Sequence, residues 1–198
     1  MKCNLQVPPR AHHCNICQSC ILKRHHHCYL VGKCIGFKNQ RYFIVLAFYS
    51  VIVSFWGLYL TVVYLRDKWW HTATWSDAIL PMTILRCLFG NITAHVTILV
   101  FHCYMWAMFG PIAMVYFISQ ILLIFKGLTL YELAKNVPVR NTASVSKNFQ
   151  SVFGDFWALN FIIPAQILFR QKEDGCSWNS VKIIQNPPKD VHHHCQIL

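Results

Sequence analysis

A run of about 24 residues from Tyr42 to Leu65 contains no charged side chain, and it limits the fold more than any other feature of the sequence. Roughly 20 apolar residues are enough for a helix to cross a bilayer. A second run, Ala94 to Phe125, lacks Asp, Glu, Lys and Arg over about 32 residues, which suffices for one tilted span but not for two. Only 13% of all residues are charged, against about a quarter in soluble domains. The sequence therefore predicts an α-helical membrane protein with two transmembrane helices.

Basic residues stand at both ends of the chain, outside the apolar runs. Lys and Arg number 18, against 7 Asp and Glu. Because cytosolic segments of membrane proteins are rich in Lys and Arg, both termini are predicted to be cytosolic and to contact anionic lipid of the bilayer. No nucleic-acid partner is expected. The first residues have no apolar run behind them, so the first span, and not a cleavable signal peptide, would insert the chain.

The segment between the spans is predicted to be lumenal. Residues 79–89 are apolar but short and contain Pro81 and Arg86, which indicates an interfacial element or a kinked approach to the second span. Asn91-Ile92-Thr93 matches a glycosylation acceptor, but it is so near the membrane that we expect it to be unused. Gly110-Pro111 predicts a kink within the second span.

Six cysteines and five histidines lie between Cys3 and Phe43. Their spacing favours a reduced, metal-binding segment over disulfides, and thiolate with imidazole selects zinc. This segment shows no strand or helix periodicity and no internal repeat, so metal would hold it together. The expected regions are a zinc-stabilised cysteine-rich domain with little regular structure (1–41), a membrane region (42–125), and a cytosolic C-terminal region with short amphipathic helices (126–198).

The spacing predicts two interleaved zinc sites. The first is a complete set with three cysteines and one histidine: Cys14, Cys17, His27 and Cys34. The second lacks a fourth ligand and comprises Cys3, His13 and Cys20.

Cys28 is the thiol left over from this assignment. It follows His26 and His27 in a basic neighbourhood, a setting that makes a thiol nucleophilic. If residues 26–28 are extended, His26 and Cys28 share one face and His27 points to the other. One face would then carry out chemistry while the other binds zinc. The alternative is that Cys28 is a spare zinc ligand.

These residues, together with Pro8-Pro9-Arg10 and Cys34-Ile35-Gly36, resemble the cysteine-rich domain of the DHHC protein S-acyltransferases, the palmitoyltransferases. The likeness continues through Asn39 and Phe43. Thr129-Leu130-Tyr131-Glu132 looks like the TTxE motif of that family, and residues 147–154, KNFQSVFG, look like its C-terminal motif with a central Asn. The resemblance therefore covers most of the chain.

The resemblance implies that Cys28 takes a palmitoyl or similar group from acyl-CoA, with His26 as general base, and passes it to cysteines of membrane or peripheral proteins. It implies two zinc ions, an endomembrane location such as the Golgi or ER, and structural roles for Thr129, Glu132 and Asn148. A cationic surface for the phosphates of CoA is expected, although positive-inside topology explains the same charges almost equally well. The residues of that surface are Lys23, Arg24, Lys33, Lys38 and Arg41.

Several departures from the family pattern favour an alternative function. His25 replaces the Asp that would orient His26, Leu130 replaces the second Thr of TTxE, and Tyr29-Leu30 replace Pro-Trp. A further cysteine expected ahead of Met1 is missing, as are two of the usual four spans. Either the chain is a fragment or short isoform, or the zinc site that includes Cys3 has three protein ligands and is weakened. The alternative is a catalytically impaired zinc-containing membrane protein that acts as a binding or regulatory partner.

Two weaker hypotheses complete the analysis. The chain ends in HHHCQIL, a CaaX-like box in which Gln196 is not aliphatic, so it predicts prenylation only weakly. A zinc-knuckle protein that binds nucleic acid is a third class of function, and the two predicted spans argue against it.

Overall fold

The computed structural model describes residues 7–155, 157–162, 171 and 173–183. Four strands come first: β1 (His12–Cys14), β2 (Ser19–Ile21), β3 (His26–Cys28) and β4 (Lys33–Ile35). Three helices follow: α1 (Gln40–Lys68), α2 (Leu80–Leu88) and α3 (Ala94–Lys126). A 3₁₀ turn, Trp75–Ala78, precedes α2, and the elements after α3 are α4 (Leu130–Ala134), β5 (Val139–Asn141), α5 (Val145–Phe153), α6 (Leu159–Ile162) and β6 (Val181–Ile183).

Helices α1 and α3 are long and apolar enough to cross a membrane. They contain 29 and 33 residues. At 1.5 Å per residue they are about 43 and 50 Å long, more than the roughly 30 Å of a hydrocarbon layer. Both contain the predicted apolar runs, and α3 remains one helix through Pro111. The predicted fold class is confirmed.

Glycines allow α1 and α3 to pack closely within Ala47–Phe117. A side-chain carbon built at Gly57 would lie 2.8 Å from the indole of Trp106, and one at Gly110 would lie 3.2 Å from Ser54 Cβ. Lipid tails are as apolar as these helices, so the hydrophobic effect does not drive the two helices together in a bilayer. Close approach of their backbones stabilises the pair instead. The same contacts fix the register of the two antiparallel helices.

The cysteine-rich segment consists of two antiparallel hairpins with the same internal plan. In the first, His13 lies opposite Cys20 and His12 opposite Ile21. In the second, His27 lies opposite Cys34 and His26 opposite Ile35. The first hairpin contains HHC at residues 12–14 and CI at residues 20–21. Both recur 14 positions later in the second hairpin, at residues 26–28 and 34–35. The expectation of no internal repeat is therefore wrong for this segment, because both hairpins carry the same residue types at the same positions.

The described residues form two compact units. One joins the residues up to Leu46 with those from Ile118 onward, and the other is Ala47–Phe117. The sequence predicts three successive regions, but the first and the last of them fall in one unit. The reason is long-range contact, such as that between Arg10 and Glu132, which no local pattern reveals.

The C-terminal region packs α5 against the end of α3. Phe149, Val152 and Phe153 are buried, and the rings of Phe149 and Phe125 meet edge-on with centroids 5.3 Å apart. Strand β5 pairs antiparallel with β6. Residue 156, residues 163–170 and the HHHCQIL end lie outside the described residues, as does Cys3.

Candidate functional site

Three cysteine sulfurs and one histidine nitrogen meet where the two hairpins adjoin. Nδ1 of His27 lies 3.7 Å from Sγ of Cys14, 3.3 Å from Sγ of Cys17 and 3.8 Å from Sγ of Cys34. All four ligand atoms lie within 4.8 Å of one another. Both hairpins contribute, since Cys14 ends β1 while His27 and Cys34 face each other across β3 and β4. The structure thus brings together the complete predicted set.

These separations fit a tetrahedral zinc ion. With Zn–S of about 2.3 Å and Zn–N of about 2.1 Å, a sulfur and a nitrogen ligand lie about 3.6 Å apart. The observed distances, 3.3 to 3.8 Å, bracket that value. Burial, and then the neighbouring Cys14, raise the pKa of the Cys34 thiol to about 12. A divalent cation among these groups would stabilise all three sulfurs as thiolates, and thiolate with imidazole is a ligand set that suits zinc.

The second predicted set is only partly within the described residues. His13 and Cys20 lie directly opposite each other across β1 and β2, in positions equivalent to those of His27 and Cys34 in the other hairpin. Cys3 lies outside the described residues. The second zinc site stays a prediction.

Cys28 ends β3 and is not one of the four clustered ligands. It is buried and packs with Ile35 and Phe43. The ring of His26 meets the ring of Phe43 edge-on, with centroids 5.4 Å apart, so His26 and Cys28 border the same aromatic side chain. His27, between them, contacts the thiol cluster instead, as the alternation of a strand predicts.

The environment of His26 keeps its imidazole neutral. Burial lowers the pKa of His26, and the nearby guanidinium of Arg24 lowers it further. A neutral imidazole has one unprotonated nitrogen that can accept a proton from a thiol. One side of β3 therefore carries a thiol and a candidate base, while the other carries a metal ligand.

His25 precedes β3 and is 2% exposed. Its Nδ1 accepts a long hydrogen bond, 3.4 Å, from the backbone N–H of Leu130, the first residue of α4. Amides at a helix N-terminus have no partner within the helix, so this donor is available. Burial, and then the charge of Lys23, hold the pKa of His25 well below its usual range. A neutral imidazole thus occupies the position where the family pattern has a carboxylate.

Glu132 ties the TTxE-like segment to the N-terminal region. Its carboxylate accepts hydrogen bonds from Arg10, from Nε at 2.6 Å and from Nη2 at 2.8 Å. It also accepts one from the N–H of Thr129 at 2.7 Å, while Thr129 Oγ1 accepts one from the N–H of Glu132 at 3.1 Å. This reciprocal capping box begins α4. Since Leu130 is the next residue, the same contacts position the amide that reaches His25.

We expect Glu132→Gln to destabilise the protein by about 3 kcal/mol, because it leaves the guanidinium of Arg10 buried without a counter-charge. The two side chains are only 3% and 1% exposed. The measurement is the melting temperature of the detergent-solubilised protein. Asp67→Asn is the matched control, because the Arg66–Asp67 pair is 66% and 53% exposed and such pairs contribute little. Equal melting temperatures for the two variants would contradict this account of Glu132.

Asn148 supports the C-terminal end of α3. Its Nδ2 donates to the carbonyl of Phe125 at 3.4 Å, and its Oδ1 accepts from Nδ2 of Asn141 at 3.0 Å. Gly127, just past the helix, has φ +65° and its carbonyl accepts from Arg10 at 3.0 Å. A Cβ there would overlap the side-chain amide of Asn141, and the positive φ also favours glycine at this position. The end of α3 is therefore held from both chain termini.

The five basic residues assigned to CoA binding are not all on the surface. Lys23 is buried, and its Nζ lies over the ring of Trp178, 5.2 Å from the centroid. Burial, and then Arg10, lower the pKa of Lys23 to about 7. Arg24 donates to the carbonyl of His13 at 3.0 Å. Contrary to the prediction, Lys23 lies outside any exposed cationic surface, because Trp178 covers it. The side chains that do reach solvent are those of Lys33, Lys38 and, in part, Arg24 and Arg41.

Sequence reasoning missed three residues that build the surroundings of the site. Gln40 donates from Nε2 to Oε1 of Gln120 at 3.3 Å, and both side chains are buried. The sequence feature that could have identified Gln40 and Gln120 was a polar residue at the edge of, or within, an apolar run. Trp178 lies over Arg10, 5.0 Å from its guanidinium carbon, as well as over Lys23. No local pattern identifies Trp178, since its role depends on residues far away in the chain.

Comparison with known proteins agrees with this arrangement. A family model described as DHHC palmitoyltransferase matches residues 1–137. Palmitoyltransferase ZDHHC22 of Rattus norvegicus is 30% identical over 161 residues, covering 79% of this chain and 60% of that protein. Palmitoyltransferase ZDHHC2 of Rattus norvegicus is 30% identical over 196 residues, covering 94% and 47%. The chain therefore spans about half to three fifths of the length of these relatives. With more than half of its residues matched by the family model, the chain belongs to the DHHC palmitoyltransferase family.

Proposed function

We propose that this chain is a protein S-acyltransferase that transfers palmitoyl or a similar fatty acyl group from acyl-CoA to cysteine thiols of proteins. The observation that carries the proposal is the position of Cys28, a thiol that shares an aromatic neighbour with a neutral imidazole. The intervening His27 contacts the thiol cluster on the other side of the strand. The family match supports this assignment, although the named relatives are longer.

In the first half-reaction, His26 accepts the proton of the Cys28 thiol and the resulting thiolate attacks the thioester carbonyl of acyl-CoA. A new carbon–sulfur bond forms to Cys28, and the bond from the carbonyl to the CoA sulfur breaks. The CoA thiolate leaves and takes the proton back from His26. Neither oxidation nor reduction occurs.

In the second half-reaction, the thiol of a substrate cysteine gives its proton to His26 and attacks the acyl group on Cys28. The acyl group passes to the substrate sulfur, and the Cys28 thiolate recovers the proton from His26. Because one thioester replaces another, the transfer needs no further energy source.

Zinc would be held by Cys14, Cys17, His27 and Cys34, and its contribution when bound is structural, because all four of its positions are taken by protein ligands. These residues join β1, the turn after it, β3 and β4. They therefore fix the strand that carries His26 and Cys28.

In this proposal the membrane holds the acyl chain of the substrate. Transfer of a fatty chain into hydrocarbon is favourable by roughly 0.8 kcal/mol per methylene, so the acyl tail stays in lipid while the thioester reaches the site. Cys28 precedes the first residue of α1, Gln40, by 12 positions. With α1 and α3 as spans, both termini are cytosolic in an endomembrane such as the ER or Golgi. Lys33, Lys38 and Arg41 would meet the phosphates of CoA.

The test is incorporation of labelled palmitoyl-CoA by the purified protein. An acyl-enzyme intermediate gives a protein-bound label that hydroxylamine releases, because hydroxylamine cleaves thioesters. Absence of label from protein that retains its zinc would reject the acyltransferase proposal.

That negative result would support the second candidate, a catalytically impaired zinc-containing membrane protein that acts as a binding or regulatory partner. The observation in its favour is His25, whose neutral imidazole cannot stabilise a protonated His26 as a carboxylate would. The same assay therefore separates the two functions.

We expect His25→Asp to raise the rate of autoacylation, by about tenfold or more, because a carboxylate at this position would stabilise the imidazolium form of His26. The backbone N–H of Leu130 is a ready hydrogen-bond donor for that carboxylate. The measurement is the initial rate of label incorporation at constant zinc content.

His25→Asn is the matched control, since it has the shape of aspartate without the charge. An increase in both variants would mean that the size of His25, and not its missing charge, limits the rate. An unchanged rate in His25→Asp would mean that the imidazole already performs the orienting role.

A further inference from the structure

Helix α2 turns its apolar side chains outward, the reverse of a helix on a water-soluble surface. Ile84, Leu85 and Leu88 are exposed along it, with Leu88 77% exposed. Phe89, at its end, is 78% exposed, and Trp75, in the 3₁₀ turn Trp75–Ala78 before the helix, is 88% exposed. At 100° per residue, positions 84, 85 and 88 lie on one face of the helix.

The polar groups of this element bond within the element, and two of them, Asp77 and Thr83, are buried. Thr83, fully buried, donates from Oγ1 to the carbonyl of Ile79 at 3.1 Å. Asp77, 1% exposed, pairs with the guanidinium of Arg86. Its Oδ2 also accepts from the N–H of Thr74 at 2.8 Å. The Arg86 side chain is 31% exposed, so the charges of the element are paired but not fully buried. An element that pairs its charges and exposes its hydrocarbon is stable when its surroundings are apolar.

Contacts with α3 place the turn before α2 at the depth of the spans. The hydroxyl of Tyr104 donates to the carbonyl of Ala78 at 2.8 Å. His95, nine residues earlier and so about 14 Å back along α3, meets the ring of Tyr64 with centroids 5.7 Å apart. Tyr64 lies two residues before Arg66, where the charged end of α1 begins. A tyrosine side chain leans toward the start of its helix, which reduces this offset of about 14 Å. Even so, Ala78 lies closer to the middle of the α1–α3 pair than Arg66 does.

We propose that the 3₁₀ turn and α2 form a re-entrant element that lies in the leaflet away from the cytosol, with lipid hydrocarbon as the partner of its apolar face. The inference rests on α1 and α3 crossing the bilayer, because the element is placed beside them by the hydrogen bond from Tyr104 of α3 to Ala78. The Asp77–Arg86 pair joins the 3₁₀ turn to α2 and neutralises the two charges of the element. The sequence predicts an interfacial element over residues 79–89. The proposal adds which face of this element contacts lipid and how deep the element lies in the bilayer.

The experiment uses the full chain in phosphatidylcholine nanodiscs, with the photoreactive amino acid benzoylphenylalanine placed at one position at a time. Position 88 tests the apolar face. Position 72 is the control, because Thr72 is an exposed polar residue in the turn that follows the charged end of α1. Position 115 is the reference for a span, because Val115 is 67% exposed in the middle of α3. The readout is the yield of lipid adducts by mass spectrometry.

We expect the yield at position 88 to exceed that at position 72 severalfold and to approach that at position 115. Adducts at 115 but not at 88 would overturn the proposal and leave the spans intact. Adducts between position 88 and a second copy of the chain would show a protein interface instead of a lipid one, and would overturn it as well. Absence of adducts at both 88 and 115 would overturn it together with the spans on which it rests.

Discussion

Replacing Cys28 by serine is expected to lower hydroxylamine-sensitive acyl labelling by at least about a hundredfold, because the hydroxyl of serine is a much weaker nucleophile than a thiol beside a neutral imidazole. The substitution changes one atom and adds no volume that Ile35 and Phe43 must accommodate. Since Cys28 is not among the clustered ligands, the variant should keep the zinc content and melting temperature of the unmodified protein. This combination of lost label and retained zinc identifies Cys28 as the acyl acceptor.

The matched control is Cys87→Ser in α2, which removes another thiol far along the chain and should leave labelling unchanged. Persistence of the label in Cys28→Ser would place the acyl group on a different cysteine and end the proposed role of Cys28. Loss of zinc in Cys28→Ser would instead show that Cys28 is a metal ligand, which is the alternative that the spacing of the cysteines left open.

The sequence predicts the parts of this protein that depend on local composition. The spans follow from uncharged runs, because hydrocarbon excludes charged side chains over a fixed length. The ligand set of Cys14, Cys17, His27 and Cys34 follows from spacing, because tetrahedral zinc requires four donors and tolerates few arrangements of short loops. The structure brings these four side chains together, as predicted.

The hairpins that carry those ligands could not be predicted from periodicity. Each strand has three residues, fewer than two full periods of side-chain alternation. Nevertheless, the recurrence of HHC and CI at an interval of 14 residues was present in the sequence. Direct comparison of the segment with itself, in place of a search for strand patterns, would have shown both hairpins.

The surroundings of the site depend on contacts between distant residues, which composition does not encode. Arg10 and Glu132 are 122 positions apart, and Leu130 reaches His25 across 105 positions. Only the T-x-x-E spacing of Thr129 and Glu132 gave a local signal, that of a capping box at the start of a helix. The resemblance to a known family pointed to the same residues, but the structure adds their buried partner, Arg10.

Replacing Cys34 by serine is expected to release about one zinc ion per chain and to abolish autoacylation, because three ligands hold a structural zinc far more weakly than four. Cys34 faces His27 across β3 and β4, so its loss frees the strand that positions Cys28 and His26. Structural zinc contributes on the order of 10 kcal/mol to the folding of small domains. The hairpins should therefore unfold, whereas α1 and α3 keep their hydrogen bonds within each helix.

This selective loss can be measured by metal analysis together with limited proteolysis. New cleavage should appear in the four-stranded segment, residues 12–35, while the two long helices remain protected by detergent or lipid. A strong chelator should reproduce the cleavage in the unmodified protein, and added Zn²⁺ should reverse it. Cys176→Ser is the matched control, since Cys176 is a partly buried thiol outside the cluster. Full zinc content and an unchanged cleavage pattern in Cys34→Ser would contradict this account. The four ligand atoms would then be close enough to bind a metal, but a bound metal would not be what stabilises the segment.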